Sequence, residues 1–366
     1  MFNASRLALA RRRRGLTKRK LSELAGVTAR SLTGFESGLE PSPRTVERLA
    51  NALGFPASFF FASDLEEVPE EAVSFRALSK MTASKRHAAL GAGALALALN
   101  DWIESRFRLP QAEVPKLGPG IDAETAAEVV RAEWQLGELP IRNMIHLLEA
   151  KGVRVFSLAE ASREVDAFSF WRQETPFVFL NTQKSAEHGR FDAAHELGHL
   201  VLHWHHSAPQ GREAEHEAHL FASAFLMPRA AIVSSAPRFA ALNEIMGHKR
   251  RWRVSVAAFI YRLRGLGLLS EWHYRSLSVE LARRGYRTQE PHGVEQETSQ
   301  VLNKVFAMLR REGTTRAEIA LALSLHPRDL DDLVFGLAML PVDGSRRQQG
   351  PRSDARRPLR LVHRAD

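Results

Sequence analysis

Apolar residues along this chain recur mostly at spacings of three and four, the period of a helix that buries one face, and alternate strictly in only one short region. The pattern predicts a mainly α protein with an α+β core. The first helices fall over Ser5–Arg14, Thr17–Leu24, Thr28–Ser37 and Pro43–Leu53, with Thr17 and Thr28 as N-caps and Pro43 near the first helical position. Ala25-Gly26-Val27 joins the middle two, and Leu21, Leu24, Val27, Leu32 and Phe35 are the expected core of this unit. An acidic stretch with a proline, Asp64 to Glu71, reads as a hinge before an alanine- and leucine-rich helix over Ser74–Phe107. Helices over Asp122–Leu136 and Ile141–Ala150 come next, then strands at Val153–Phe156, Ala167–Trp171 and Pro176–Asn181. Two helices, 191–203 and 213–228, follow the last strand directly, and helical pattern continues through Trp252–Leu269 and Trp272–Arg284.

These breaks divide the chain into an all-α unit at 1–61, an acidic hinge and helical connector at 62–118, an α+β unit with a small sheet at 119–245, a helical C-terminal region at 246–341 and a basic tail at 342–366. The tail is Arg, Gln, Gly and Pro with little to bury, and is expected to be disordered. A length of 366 residues fits two or three domains. The absence of cysteine excludes disulfides and thiolate metal sites and fits a reducing cytoplasm. The N-terminal arginines follow rather than precede any apolar run, and the most apolar window, Ala92–Leu99, is too short for a bilayer, so no signal peptide and no membrane association are expected.

Charge changes the picture at one end. The first 56 residues hold eleven Lys or Arg against four Glu, within a chain of net charge +9, and nucleic acid is the expected partner. With its turn spacing, caps and charge, this unit resembles the Cro/lambda-repressor (XRE) family of helix-turn-helix domains over its whole length. The resemblance implies a homodimer on double-stranded DNA, its third helix in the major groove and Thr28, Ala29, Arg30 and Thr33 toward the bases. Arg30 suits a bidentate contact to guanine, while Lys18 and Arg44, at helix starts, suit phosphates. Gly34 offers no side chain. Thr314–Gly336 repeats a helix-turn-helix cadence around Leu325-His326-Pro327, but Asp329, Asp331 and Asp332 on its second helix would repel phosphate, so an interaction bundle is expected there.

The chemistry lies in His195-Glu196-Leu197-Gly198-His199. Residues four apart on a helix stand one above the other, so His195 and His199 can share one cation, and Glu196 beside them suits the general base of a zinc hydrolase. In the next helix Leu220, Phe221, Ala224 and Phe225 form the apolar stripe, and Glu217 continues it. A carboxylate on the buried side of a helix is costly unless paired or bound to metal, so Glu217 is the expected third ligand of Zn2+, with Glu213 as the competing choice or a supporting partner. His203 is expected to cap the helix end, although with His205 and His206 a four-histidine site is conceivable. His216 and His219 read mainly as surface or supporting residues, and Asp166 and Trp171 as structural residues near a cleft. Whether Phe177–Asn181 forms a sheet edge stays open.

Ala194-His195-Glu196-Leu197-Gly198-His199-Leu200-Val201-Leu202-His203, followed by Glu217-Ala218-His219-Leu220-Phe221-Ala222-Ser223-Ala224-Phe225-Leu226-Met227-Pro228, resembles the ImmA/IrrE metallopeptidases, with similarity from roughly Phe75 to Met227. The resemblance implies a zincin-like fold, zinc on His195, His199 and Glu217, Glu196 as catalytic base, and cleavage of a partner repressor protein. His219, where relatives tend to carry Asn or Asp, and His188, where they often carry Arg, depart from the pattern. The expectation is a DNA-binding transcriptional regulator with a zinc-dependent endopeptidase domain. The alternative is a transcription factor or antitoxin whose metallopeptidase-like domain senses or binds a partner without catalysis.

Overall fold

The computed structural model describes residues 1–70, 82–118, 120–158, 167–204, 211–235, 241–286 and 290–339. The expected start of the connector helix at Ser74, together with Asp166, His205, His206 and the 342–366 tail, lies outside them.

The N-terminal unit is built from α1 (Ala4–Arg13), α2 (Lys18–Ala25), α3 (Ala29–Glu36) and α4 (Pro43–Leu53). Asn3, Thr17, Thr28 and Ser42 each accept hydrogen bonds from backbone N–H groups of the first turn they precede. Gly26, at φ 61°, ends α2 in the left-handed region and turns the chain into α3, where a side chain would be strained. Leu7, Leu21, Leu32, Val46 and Leu49 are buried at the centre, with Phe55, Phe59 and Phe60 closing it from below. Val27 and Phe35 pack against this core, but Leu24 does not: it is 53% exposed, because α2 turns that face outward.

α5 (Ala83–Glu104) runs under the unit. Its small residues have a reason: a Cβ on Gly91 would stand 3.1 Å from Arg13 Cα, tight enough that α1 would have to give by a few tenths of an ångström. Then come α6 (Ala123–Glu133) and α7 (Met144–Ala150), and a sheet of β1 (Arg154–Ser157), β2 (Ala167–Arg172) and β3 (Thr175–Leu180). The strand order is β1-β3-β2, with β1 parallel and β2 antiparallel to β3. β3, which carries Phe177–Leu180, is thus central and not an edge. Alternation along the strands puts Phe168 and Phe170 on one face, stacked against Phe179 at 4.5 Å and Phe177 at 5.5 Å. Ser169 between them points to the opposite face, toward the next helix.

That helix is α8 (Ala186–Leu202), and α9 (Arg212–Leu226) packs along it. A Cβ on Gly198 would meet Phe221 Cδ1 at 3.1 Å and Ala218 Cα at 3.2 Å, so Gly198 sets how closely the two helices approach. α10 (Arg229–Ser235), α11 (Leu242–Trp252), α12 (Val256–Gly265) and α13 (Glu271–Arg283) follow, and α14 (Gln300–Arg311), α15 (Arg316–Ala322) and α16 (Pro327–Val334) end the described fold.

The C-terminal segment is stitched to the core rather than appended to it. Glu297 accepts from Met144 N and Ile145 N at the start of α7 and pairs with buried Arg190 of α8. Glu149 of α7 accepts from Gln300 N, Val301 N and Ser299 Oγ. Glu290 shares the fully buried Lys249 with Glu187. Among the described residues no helix is long and apolar enough to cross a membrane.

Candidate metal centre and nucleic-acid interface

His195 and His199 stand one turn apart on α8, with their Nε2 atoms 3.2 Å apart. The third group facing them is Glu215 of α9, whose Oε2 lies 3.4 Å from His195 Nε2 and whose Oε1 lies 3.4 Å from His199 Nε2. The two glutamate contacts end on different oxygens of one carboxylate; with one donor atom taken from each residue, all three lie within 4.8 Å of one another, near enough to close around a single cation. Among the described residues this is the one group of three or more His, Asp or Glu side chains close enough to hold a metal ion.

Glu217, the acid expected from the sequence, is turned elsewhere: its Oε2 meets His203 Nε2 at 2.9 Å. Glu213 is exposed and takes no part. The reason is helical geometry. Glu215 and Glu217 flank the buried Ala214-Ala218-Phe221 stripe of α9 on opposite sides, and which side meets α8 is set by the crossing of the helices at Gly198. His203 does occupy the C-cap of α8, but its ring turns back so that its Nδ1 lies 2.9 Å from His199 Nδ1. His219, one turn beyond Glu215, lies between Phe191 and Tyr261, tilted against the first and edge-on to the second.

Glu196 is 2% exposed, behind the two histidines. Ser169 Oγ donates to its Oε2 at 2.6 Å, a partner that no spacing along the chain reveals because it comes from a strand 27 residues upstream. Burial pushes the Glu196 carboxyl up to about 7, against the pull of His195 and the Ser169 hydroxyl. Burial holds His199 down at about 4, the nearby Glu215 carboxylate notwithstanding, so this ring is neutral, the form that ligates metal. Glu215 behaves oppositely: burial opposes its charge, but the facing rings of His195 and His199 outweigh that and keep it well below the usual carboxylate range. Trp171 is structural, its Nε1 donating to Leu200 O and its ring lying under Lys116.

At the other end, Thr28, Ala29, Arg30 and Thr33 are all exposed along the start of α3, and Arg44 is exposed at the second residue of α4. Their side chains differ in readiness. Thr28 Oγ1 accepts from Ser31 N as the cap, and Thr33 Oγ1 donates to Ala29 O at 3.0 Å. Lys18 Nζ lies 3.0 Å from Glu36 Oε2, so it reaches phosphate only by sharing or leaving that pair. The four-arginine run makes no basic arm. Arg11 binds Glu36, Arg12 binds Glu67, Arg13 is buried under α5, and Arg14 donates to Leu53 O and Gly54 O and pairs at 2.7 Å with Asp329 of α16. The surface charge that remains belongs to Lys18, Arg19, Lys20, Arg30, Arg44 and Arg48.

Fold and site together define a helix-turn-helix protein joined to a metallopeptidase-like domain. Comparison with known families agrees: residues 4–58 match the helix-turn-helix domain and residues 148–264 the IrrE N-terminal-like domain. The chain is a helix-turn-helix domain fused to an ImmA/IrrE domain. The second match runs through α11 and α12, beyond the break expected near residue 245. No curated protein matches the chain.

Proposed function

We propose that this DNA-binding regulator is also a zinc-dependent endopeptidase, acting in the cytoplasm on a repressor-like partner protein. Its N-terminal unit, residues 1–61, binds duplex DNA as a homodimer through Arg30 and its neighbours on α3, with Lys18 and Arg44 on phosphates. The observation that carries the peptidase half is Glu196, a buried carboxyl beside the three-donor cluster and held at 2.6 Å by the Ser169 hydroxyl. A site that merely held structural metal would have no use for such a group.

His195, His199 and Glu215 would hold the ion, a donor set that suits catalytic zinc. Zinc bound there would supply a Lewis acid that polarises the scissile carbonyl and eases deprotonation of water. Glu196 takes the proton from the attacking water and delivers it to the leaving amine. Ser169 holds Glu196 in place. Among the described residues β2 has a strand neighbour on one side only, which favours an extended substrate along its other side.

The test is incubation of the purified zinc-loaded protein with soluble protein from its host, followed by a survey of new N-termini. New termini in a repressor-like protein, abolished by a zinc chelator, are expected. An unchanged set of termini in every condition would leave the peptidase half without support and favour a domain that binds its partner without cutting it.

A further inference from the structure

Glu217 and His203 are two polar groups that the chemistry above does not use, yet both are tied to the metal cluster. His199 faces two ways. Its Nε2 looks to His195 and Glu215, while its Nδ1 lies 2.9 Å from His203 Nδ1. His203 Nε2 in turn lies 2.9 Å from Glu217 Oε2.

The proton positions follow from the end of this chain of contacts. An ionised carboxylate only accepts, so the proton between His203 and Glu217 sits on His203 Nε2. A neutral His203 then has a bare Nδ1, which must accept, and the donor is His199 Nδ1–H. A neutral His199 protonated on Nδ1 carries its lone pair on Nε2, the atom that faces the cluster. We propose that Glu217 and His203 are positioning residues that fix the tautomer and ring orientation of His199 so that its Nε2 is always ready for the metal.

This rests on the reading of His195, His199 and Glu215 as the metal site. The fold supports it independently. His203 lies one turn past His199, and its backbone N–H donates to His199 O at 2.9 Å, which keeps the two rings in register. Glu217 reaches His203 from the side of α9 opposite to Glu215, so one helix supplies both a ligand and the anchor of another ligand. Such outer partners are worth roughly 10–100-fold in metal affinity.

The experiment measures zinc affinity of the full chain by competition with a chromogenic chelator. Glu215→Ala, Glu217→Ala, Glu217→Gln, His203→Phe and Glu213→Ala are compared with wild type, and folding is checked by circular dichroism. Glu215→Ala should abolish tight binding, Glu217→Ala and His203→Phe should weaken it roughly 10–100-fold, and Glu213→Ala should change nothing. Glu217→Gln should lose less than Glu217→Ala, since its amide oxygen still accepts. Nitrogen-15 NMR of the zinc-loaded wild type should show His199 protonated on Nδ1 and His203 on Nε2.

Unchanged affinity in both Glu217→Ala and His203→Phe, with Glu215→Ala still defective, would sink the relay and leave the metal site standing. A loss in Glu217→Ala as complete as that in Glu215→Ala, with His203→Phe normal, would make Glu217 a direct ligand instead. Full affinity in Glu215→Ala as well would overturn the metal-site reading itself. If a variant fails to fold, the wild-type spectrum decides alone: a proton on His203 Nδ1 contradicts the relay.

Discussion

At the scale of single residues, the site assigns separate tasks to neighbouring groups. Ser169 touches only the base, so Ser169→Ala should lower kcat by roughly tenfold, the cost of one hydrogen bond to a charged group, with little change in KM or zinc content. An equal fall in zinc content would place Ser169 in metal binding instead. On α3, Arg30→Ala should relax one base position of the preferred DNA site at about 1–3 kcal/mol, and Arg44→Ala should weaken all sequences alike and flatten the salt dependence. If binding-site selection with Arg30→Ala returned the wild-type sequence, the reading helix would be misassigned. The cluster of His195, Glu196 and His199 was legible because all three lie within about one turn of one helix, where spacing alone fixes direction. The approach of Glu215 to the two histidines was not. The burial pattern of α9 narrows the choice to a face, and only the crossing at Gly198 decides between the two acids that flank it.

Elements carry the next level of the account. Gly198→Ala would push a methyl against Phe221 and Ala218 and separate α8 from α9. A loss of about 1–3 kcal/mol is expected, as for other overpacked contacts, and with it a fall in zinc occupancy because Glu215 retreats from the histidines. In the N-terminal unit Glu36 ties the end of α3 to Arg11 and Lys18. Burial opposes its charge, but these hydrogen bonds outweigh burial and lower its pKa in the folded state. A carboxyl lowered on folding gives stability that is complete above its unfolded value, near 4.3, and lost as the pH falls through the folded value. Wild type should therefore lose this contribution in acid, while Glu36→Gln should be less stable at pH 7 by roughly 1–3 kcal/mol and lose less on acidification. Parallel slopes of melting temperature against pH would contradict it. Helices and strands themselves were largely readable from caps and periodicity, Thr17, Thr28 and the alternating phenylalanines above all. The strand order was not, since neither edge is encoded in any one strand.

Across the whole molecule, the arginine run shows what a local pattern cannot say. Arg11–Arg14 read as surplus charge for nucleic acid, yet their partners, Glu36, Glu67 and Asp329, come from three distant segments that only the folded chain brings together. Asp329, 1% exposed on α16, joins the C-terminal bundle to the DNA-binding unit through Arg14, while Asp331 on the same helix pairs with Arg316 of α15. Asp329→Ala should uncouple them, splitting one calorimetric transition into two with the N-terminal unit melting first. A single, merely lower transition would mean that α1 and α5 suffice to hold the unit.

The central claim is that a regulator of this build cuts its partner, and Glu196→Gln tests it most directly. The amide nearly preserves volume and lies outside the ligand set, but it cannot take a proton. Regulation and partner integrity are to be followed in the same cells carrying wild type or the variant. The account predicts that zinc and DNA binding survive, that cleavage falls by about 10²–10⁴-fold, and that the partner stays intact and its genes stay off. Normal regulation by Glu196→Gln, with the partner whole in both strains, would contradict the peptidase and leave a DNA-binding protein whose second domain only binds.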